Sequence, residues 1–172
     1  MKLNFGCGSN RIEGFENIDI NANPNVDRVL DIREHLNTFE AESVDQIVCF
    51  HTLEHVERFK VEYVLFHFSR MLKIGSTLTL SFPDFRVCSQ YYIENKRGGK
   101  LFWEATVFGR NAFPHDQHKC ALLPEDVRAS LFSYGMGNIN IYHEPVPNEC
   151  NAVVHATKLV KTWTYADTLK EI

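Results

Sequence analysis

The segment Leu3-Asn4-Phe5-Gly6-Cys7-Gly8-Ser9-Asn10 is followed by Asn17-Ile18-Asp19-Ile20, with Asp19 eleven residues after Gly8. An apolar strand running into a Gly-x-Gly turn lets backbone N–H groups approach a ligand closely, because glycine carries no Cβ. An acid at the tip of the next strand is placed to accept hydrogen bonds from ribose hydroxyls. The pairing suggests a nucleotide-like ligand at the carboxyl edge of a parallel sheet. Two further motifs could do metal chemistry. His51-Thr52-Leu53-Glu54-His55 fits the His-x-x-Glu-His pattern of inverted zinc peptidases. That chemistry needs both histidines and the glutamate on one helix, and a downstream carboxylate. Here the motif begins at the end of a buried strand, so His51 is expected to precede the helix, with Glu54 and His55 starting it where the dipole favours a carboxylate. His115-Asp116-x-His118-x-Cys120 has zinc-type donors but not the paired spacings of a structural site. It is expected to be a polar loop. No metal is expected.

The elements that must position these residues alternate in the manner of an α/β fold with a mainly parallel sheet. Strands are predicted at 2–5, 16–20, 27–30, 44–50, 77–82, 138–143 and 151–157. About ten residues separate the first two strands, too few for a full crossover helix. Val44 to Phe50 is apolar apart from Asp45 and Gln46, as in a strand buried on both faces. Val61, Val64, Leu65, Phe68, Met71 and Leu72 fall at helical spacing within 56–72, and Gly75 is the expected stop. Pro124, Glu125 and Asp126 open a second helix that Gly135 closes. The last two strands are joined by Glu144-Pro145-Val146-Pro147, short enough for an antiparallel hairpin. Residues 84–120 are the least regular stretch, with a helix expected around 99–108. Tyr91, Tyr92, Phe102, Trp103 and Phe108 lie in it and read more readily as core than as an aromatic pocket.

The chain has 172 residues, enough for one domain with a proper core. The domain is expected to span 1–160, with 84–120 as a lid and 161–172 as a tail. A net charge of −4 without a basic block argues against a large nucleic-acid footprint. No apolar run approaches the ~20 residues of a membrane span, and Met1-Lys2-Leu3-Asn4 lacks the apolar core of a signal peptide. The five cysteines, Cys7, Cys49, Cys88, Cys120 and Cys150, are scattered and read as reduced thiols of a cytoplasmic protein.

Several separated segments resemble the class I S-adenosylmethionine-dependent methyltransferases, especially the small bacterial and phage type 11-like group. The matching pieces are Asn4-Phe5-Gly6-Cys7-Gly8, Phe15-Glu16-Asn17-Ile18-Asp19-Ile20, Val29-Leu30-Asp31-Ile32, Phe50-His51-Thr52-Leu53-Glu54-His55 and Met71-Leu72-Lys73-Ile74-Gly75. Leu80-Ser81-Phe82-Pro83-Asp84-Phe85 and His118-Lys119 complete the set, which covers roughly 2–160. Asn4 stands where many members carry an acid, and Asn10 replaces the third glycine of the loop. The resemblance implies a three-layer Rossmann-like sandwich, with a seven-stranded, mostly parallel sheet and an antiparallel C-terminal hairpin. It implies S-adenosylmethionine as cofactor, with Gly6, Cys7 and Gly8 against its methionine and ribose portion. Asp19 would hold the ribose diol, and Ile20 would pack on the adenine. Asp31 would accept from the adenine amine, and Ile32 would donate a backbone N–H. Phe50 and His51 would lie beside the methionine end.

The expected reaction is methyl transfer to a small-molecule or sugar-like acceptor. His118 is the first candidate base and His115 the second, with His51 behind them, since histidine suits proton transfer near neutral pH. Asp84 is expected to bind or orient the acceptor. Phe82-Pro83-Asp84-Phe85 lacks the second proline of the Asp/Asn-Pro-Pro-aromatic motif of amino-methylating enzymes and follows the fifth strand. It therefore does not indicate a DNA adenine or protein glutamine substrate. A homodimer is among the assemblies open to the chain. The rival class is a non-catalytic module that binds cofactor or partner on a trimmed fold of this kind, because the N-terminal helices that cap the cofactor in larger members are not expected here. A nicotinamide-dependent oxidoreductase fits less well, given the short first connection and the final hairpin.

Overall fold

The computed structural model describes residues 1–95, 99–112, 115–143 and 150–162. Seven strands form one sheet: β1 (Lys2–Phe5), β2 (Glu16–Asp19), β3 (Arg28–Val29), β4 (Val44–Phe50), β5 (Leu72–Pro83), β6 (Met136–His143) and β7 (Asn151–Lys158). Their order is β3-β2-β1-β4-β5-β7-β6. The first five are parallel, and β7 runs antiparallel to both β5 and β6. The expected sheet class is therefore observed. The Glu144–Pro147 link of the expected hairpin and most of the 161–172 tail lie outside the described residues. The chain leaves β1 toward β2 and β3, then returns to place β4 on the other side of β1. That reversal opens a crevice above the carboxyl ends of β1 and β4, the usual ligand position in an open α/β sheet.

Helix α1 (Arg58–Met71) carries its apolar residues at the expected spacing and buries Val61, Val64, Leu65, Phe68 and Met71. Its end differs from expectation. Leu72 already has extended backbone, so β5 starts directly after the helix, and Gly75 lies inside the strand rather than stopping the helix. The β4–β5 register shifts between Val44 and Gln46, which absorbs this early start as a bulge. Helix α3 (Gly99–Phe108) is the helix expected there, α2 (Phe85–Ile93) gives the stretch after β5 more order than its composition suggested, and α4 (Pro124–Ser133) begins at its proline as expected.

The two faces of the sheet are unequal. Leu3, Phe5, Ile18, Ile47, Cys49, Leu78, Leu80, Phe82, Ala152, Val154 and Ala156 belong to one apolar core with α1 and α4. Alternation then sends Asn4, Asn17, Gln46, Thr77, Thr79 and His155 to the opposite face. There Asn4 and Asn17 are buried under the β1–β2 connection, while Gln46, Thr77, Thr79 and His155 are half-buried. The connection of residues 6–15 contains no helix. It is held by side-chain amides instead. Asn4 Nδ2 donates to the Asn10 carbonyl at 3.0 Å and to Asn17 Oδ1 at 2.9 Å.

One cysteine expectation is corrected. Cys88 of α2 and Cys150 at the start of β7 form a disulfide, with their Cα atoms 5.6 Å apart. Cys7, Cys49 and Cys120 are free thiols. The pairing, across 62 residues, removes the argument from reduced cysteines to a cytoplasmic compartment. Among the described residues, no helix is long and apolar enough to cross a membrane.

Candidate functional site

The loop after β1 is built around Gly6, whose φ of +68° places it in the left-handed region. A Cβ there would lie 1.8 Å from Thr52 Oγ1, so the turn after β4 packs against a position that only glycine fills without displacement. The N–H groups of Gly6 and Cys7 donate to the Ile18 carbonyl at 2.8 and 3.1 Å, joining the loop to the end of β2. Asp19, the last residue of β2, accepts from the Gly8 N–H at 2.9 Å through Oδ2 and from the Asn21 N–H at 2.8 Å through Oδ1. Asn23 Nδ2 donates to the Gly8 carbonyl at 3.1 Å. The glycine loop and the acid that sequence reasoning paired are thus directly bonded, and Asp19 lines the crevice with a lone pair on each oxygen that these two bonds do not use.

The crevice is an open cleft of about 1580 Å³. It is lined by Gly6, Cys7, Gly8, Asp19, Ile20, Asp31, Ile32, Phe50 and His51, so all nine expected cofactor residues share one cavity. Asp31 has a partner that sequence reasoning missed. Its carboxylate takes Arg33 Nε at 2.8 Å and Nη2 at 2.6 Å, and the Arg33 guanidinium holds its carboxyl below the usual range. The two residues are two positions apart on a turn, and their spacing was the available signal.

At the end of β4 the chain turns sharply. His51 has φ +49°, and Leu53–His55 form a single 3₁₀ turn before α1. Glu54 and His55 therefore do not start the helix as expected. Glu57 is the N-cap, and Glu54 is buried. Its backbone carbonyl accepts from the N–H groups of Lys119 at 2.7 Å and Cys120 at 3.3 Å, which docks the loop after α3 onto this turn. His118 is fixed from the other side, its N–H donating to the Phe108 carbonyl at 3.0 Å. Gly109 lies beneath, where a Cβ would lie 2.2 Å from the Asp116 carbonyl oxygen.

The result is a group of side chains that no contiguous motif contains. The His55 and His118 rings meet edge to face with centroids 4.9 Å apart. His51 Nδ1 stands 3.5 Å from Glu54 Oε1. Burial pushes the His118 imidazole below its ordinary pKa, partly offset by the Glu54 charge and by hydrogen bonds to the backbone of Val107 and Thr106. His118 and His115 line the cleft with Asp116, Arg110 and Trp103. Trp103 is fully buried, whereas Phe102 and Phe108 are exposed.

Asp84 stands apart from this group and does not line the cleft. It is only 5 % exposed, accepts from the Arg86 N–H as N-cap of α2, and lies 2.9 Å from His143 Nε2 on β6. An acid just before a helix is a capping signal, and it was the available clue to α2.

No family model and no curated protein matches the sequence. Solved structures do match. A methyltransferase dependent on S-adenosylmethionine from Archaeoglobus fulgidus is 16% identical with a TM-score of 0.63, over 91% of this chain and 85% of its own. Another from Methanosarcina mazei is 16% identical with a TM-score of 0.61, over 93% and 92%. A third from Thermotoga maritima, described as a possible histamine N-methyltransferase, is 13% identical with a TM-score of 0.60, over 91% and 81%. At these identities the likeness is one of architecture: this chain has the Rossmann-like fold of S-adenosylmethionine-dependent methyltransferases.

Proposed function

We propose that the cleft binds S-adenosylmethionine and that the protein transfers its methyl group to a small-molecule or sugar-like acceptor. The observation that carries this is the bonded pair Gly8–Asp19 at the switch point of the sheet. Bound there, the cofactor supplies a methyl group made electrophilic by a sulfonium. Gly6 and Gly8 fit it because their positive φ leaves backbone, not side chain, facing the cleft, and no atom lies within 4 Å of where a Gly8 Cβ would sit. Asp19 would accept from the ribose diol, Ile20 would pack on the base, and Ile32 would donate a backbone N–H to it. Asp31 would meet the adenine amine at a carboxylate that already takes the Arg33 backbone N–H, Nε and Nη2. A cleft of about 1580 Å³ exceeds the roughly 300–1,000 Å³ of an ordinary ligand pocket. That difference supports an acceptor site beside the cofactor.

The protein's own part is to hold acceptor and methyl in line and to exclude water. Acceptor activation centres on His118, with His115 next to it in the cleft. Asp84 would orient the acceptor only indirectly, through the start of α2. The test is calorimetric titration with S-adenosylmethionine, followed by a screen of hydroxyl and amine acceptors for methyl incorporation. Saturable binding with turnover on one acceptor class supports the reading. Binding without turnover on any class favours the non-catalytic module, and no binding by folded protein sinks methyl transfer and leaves only a partner-binding module.

A further inference from the structure

We propose that Glu54, His55 and His118 form a site for one divalent transition-metal ion of the zinc class, open toward the cleft. One ligand atom from each residue lies within 4.8 Å of the other two. Around zinc, ligand atoms about 2.0–2.1 Å from the ion sit roughly 3.4 Å from each other, so closing the set needs side-chain shifts on the order of 1 Å. Neither sequence motif holds this site alone. The fold takes Glu54 and His55 from one motif and His118 from the other, and the backbone bonds from Lys119 and Cys120 to Glu54 keep the two halves together.

Glu54 is the residue that points to a ligand. It is 3 % exposed, and its Oε2 has no hydrogen-bond partner among the described residues. A buried carboxylate oxygen left this way is costly unless a cation or donor meets it. The neighbouring cations are committed elsewhere. Lys119 Nζ is 2.7 Å from Glu57 Oε1, and Arg33 holds Asp31. His51 faces the other oxygen, Oε1.

His55 is set as metal-ligating histidines usually are: its Nδ1 lies 3.1 Å from the Gln117 carbonyl, while His118 is held through its backbone N–H on the Phe108 carbonyl at 3.0 Å. An N–H given to a carbonyl fixes the tautomer and leaves the other nitrogen free to ligate. Two imidazoles and one carboxylate with an open side match the donor set of catalytic zinc sites. Nitrogen donors also select against Mg²⁺ and Ca²⁺.

The site itself follows from geometry, but its role rests on the methyl-transfer reading. An acceptor hydroxyl on the ion would have its pKa lowered. Its proton leaves to solvent, the O–CH₃ bond forms as the S–CH₃ bond breaks, and the sulfonium becomes a neutral thioether. The acceptor class is then a hydroxyl compound, and His118 acts by holding the ion.

The experiment uses the full chain made without a metal-affinity tag, stripped with chelator and titrated with Co²⁺. Visible absorption and elemental analysis after dialysis are the readouts. About one Co²⁺ per chain is expected, displaced by Zn²⁺ and bound about 100-fold more weakly by Glu54→Gln and His118→Ala. His143→Gln, at the distant Asp84 pair, should bind like wild type. A wild-type chain that takes up no Co²⁺, or variants that bind it equally well, would overturn the site. Should either variant fail to fold, paramagnetic resonance of the Cu²⁺-loaded wild type decides. Two coupled imidazole nitrogens support the site, and fewer overturn it. Titrating the stripped protein with S-adenosylmethionine tests the methyl-transfer reading separately. Metal binding without cofactor binding overturns the role and keeps the site, while cofactor binding without metal overturns the site and keeps methyl transfer.

Discussion

At the residue scale, Asp19 does two jobs that can be separated. It fixes the glycine loop by accepting from Gly8 and Asn21, and it lines the cleft with the lone pairs that those bonds do not use. Losing a charged hydrogen-bond partner costs ~1.5–3 kcal/mol, or roughly ten- to a hundredfold in affinity. Asp19→Ala should show that loss in calorimetry with S-adenosylmethionine, and unchanged affinity in a folded variant would refute the assignment. Gly6→Ala should behave differently. Its Cβ meets Thr52, and its φ is +68°, so the variant should lose stability as well as cofactor affinity. Pairing it with Thr52→Gly should restore part of the stability but leave the φ strain of roughly 1 kcal/mol. A thermal melt of the single and double variants distinguishes the two terms. At the acceptor end, His118→Ala should reduce turnover by roughly 10²–10⁴-fold with cofactor affinity nearly unchanged. Equal loss of cofactor binding would place the loop on the wrong part of the cleft.

At the element scale, α1 contains a buried histidine that makes stability depend on pH. His67 packs against Tyr63 and Phe66, and its Nδ1 accepts from Arg70 Nε at 3.1 Å. Burial, with the Arg70 charge beside it, pushes its pKa down to about 4. In the unfolded chain the imidazole titrates near ~6.5. Between those values the unfolded chain holds a proton that the folded chain does not. Stability is therefore complete above pH ~6.5 and falls as the pH drops toward 4, by an amount of order 2 kcal/mol. His67→Gln keeps an acceptor for Arg70 and removes the titration. Urea melts at pH 7 and pH 5 should differ less in the variant, and an equal difference would show that other groups carry the acid sensitivity.

The same scale explains what could be read from the sequence. Helix α1 and strands β4 and β7 were legible because periodicity is a local property of the chain. The loop–acid pair was legible because Gly8 and Asp19 are eleven residues apart and belong to adjacent strands. Helix α2 was missed because Asp84 was read as chemistry rather than as a cap. Glu54 was assigned to a helix start because nothing local distinguishes a 3₁₀ turn from the first turn of an α-helix. Its meeting with His118 depends on a loop folding back across 64 residues, as the numbering shows. No short-range pattern contains such a contact.

At the scale of the whole molecule, the unequal sheet faces put the burden of order on one side. The apolar core with α1 and α4 holds β1, β4, β5 and β7, while the region after β5 has a separate small cluster of Cys88, Trp103 and Cys150. That cluster is too small to anchor two helices by burial alone, and the Cys88–Cys150 bond supplies the missing constraint. It ties α2 to the start of β7, and α3 follows because Trp103 packs on the same cluster and meets Tyr91 edge to face. Closing a loop of this length in the unfolded chain is worth ~2–4 kcal/mol to the fold. The double variant Cys88→Ser/Cys150→Ser should therefore unfold at lower urea concentration by about that free energy. Because the cluster is separate from the main core, the loss should be local before it is global. Hydrogen exchange should speed up first in α2 and α3, with β1, β4 and β5 still protected. Trp103, Cys150, His115 and His118 line the cleft, while the glycine loop leaves β1, whose Leu3 and Phe5 belong to the main core, so acceptor turnover should fall more than S-adenosylmethionine affinity. If exchange accelerates uniformly across the sheet, or the cofactor is lost together with the acceptor, the region after β5 is part of the main cooperative unit and not a separately tethered wall of the cleft.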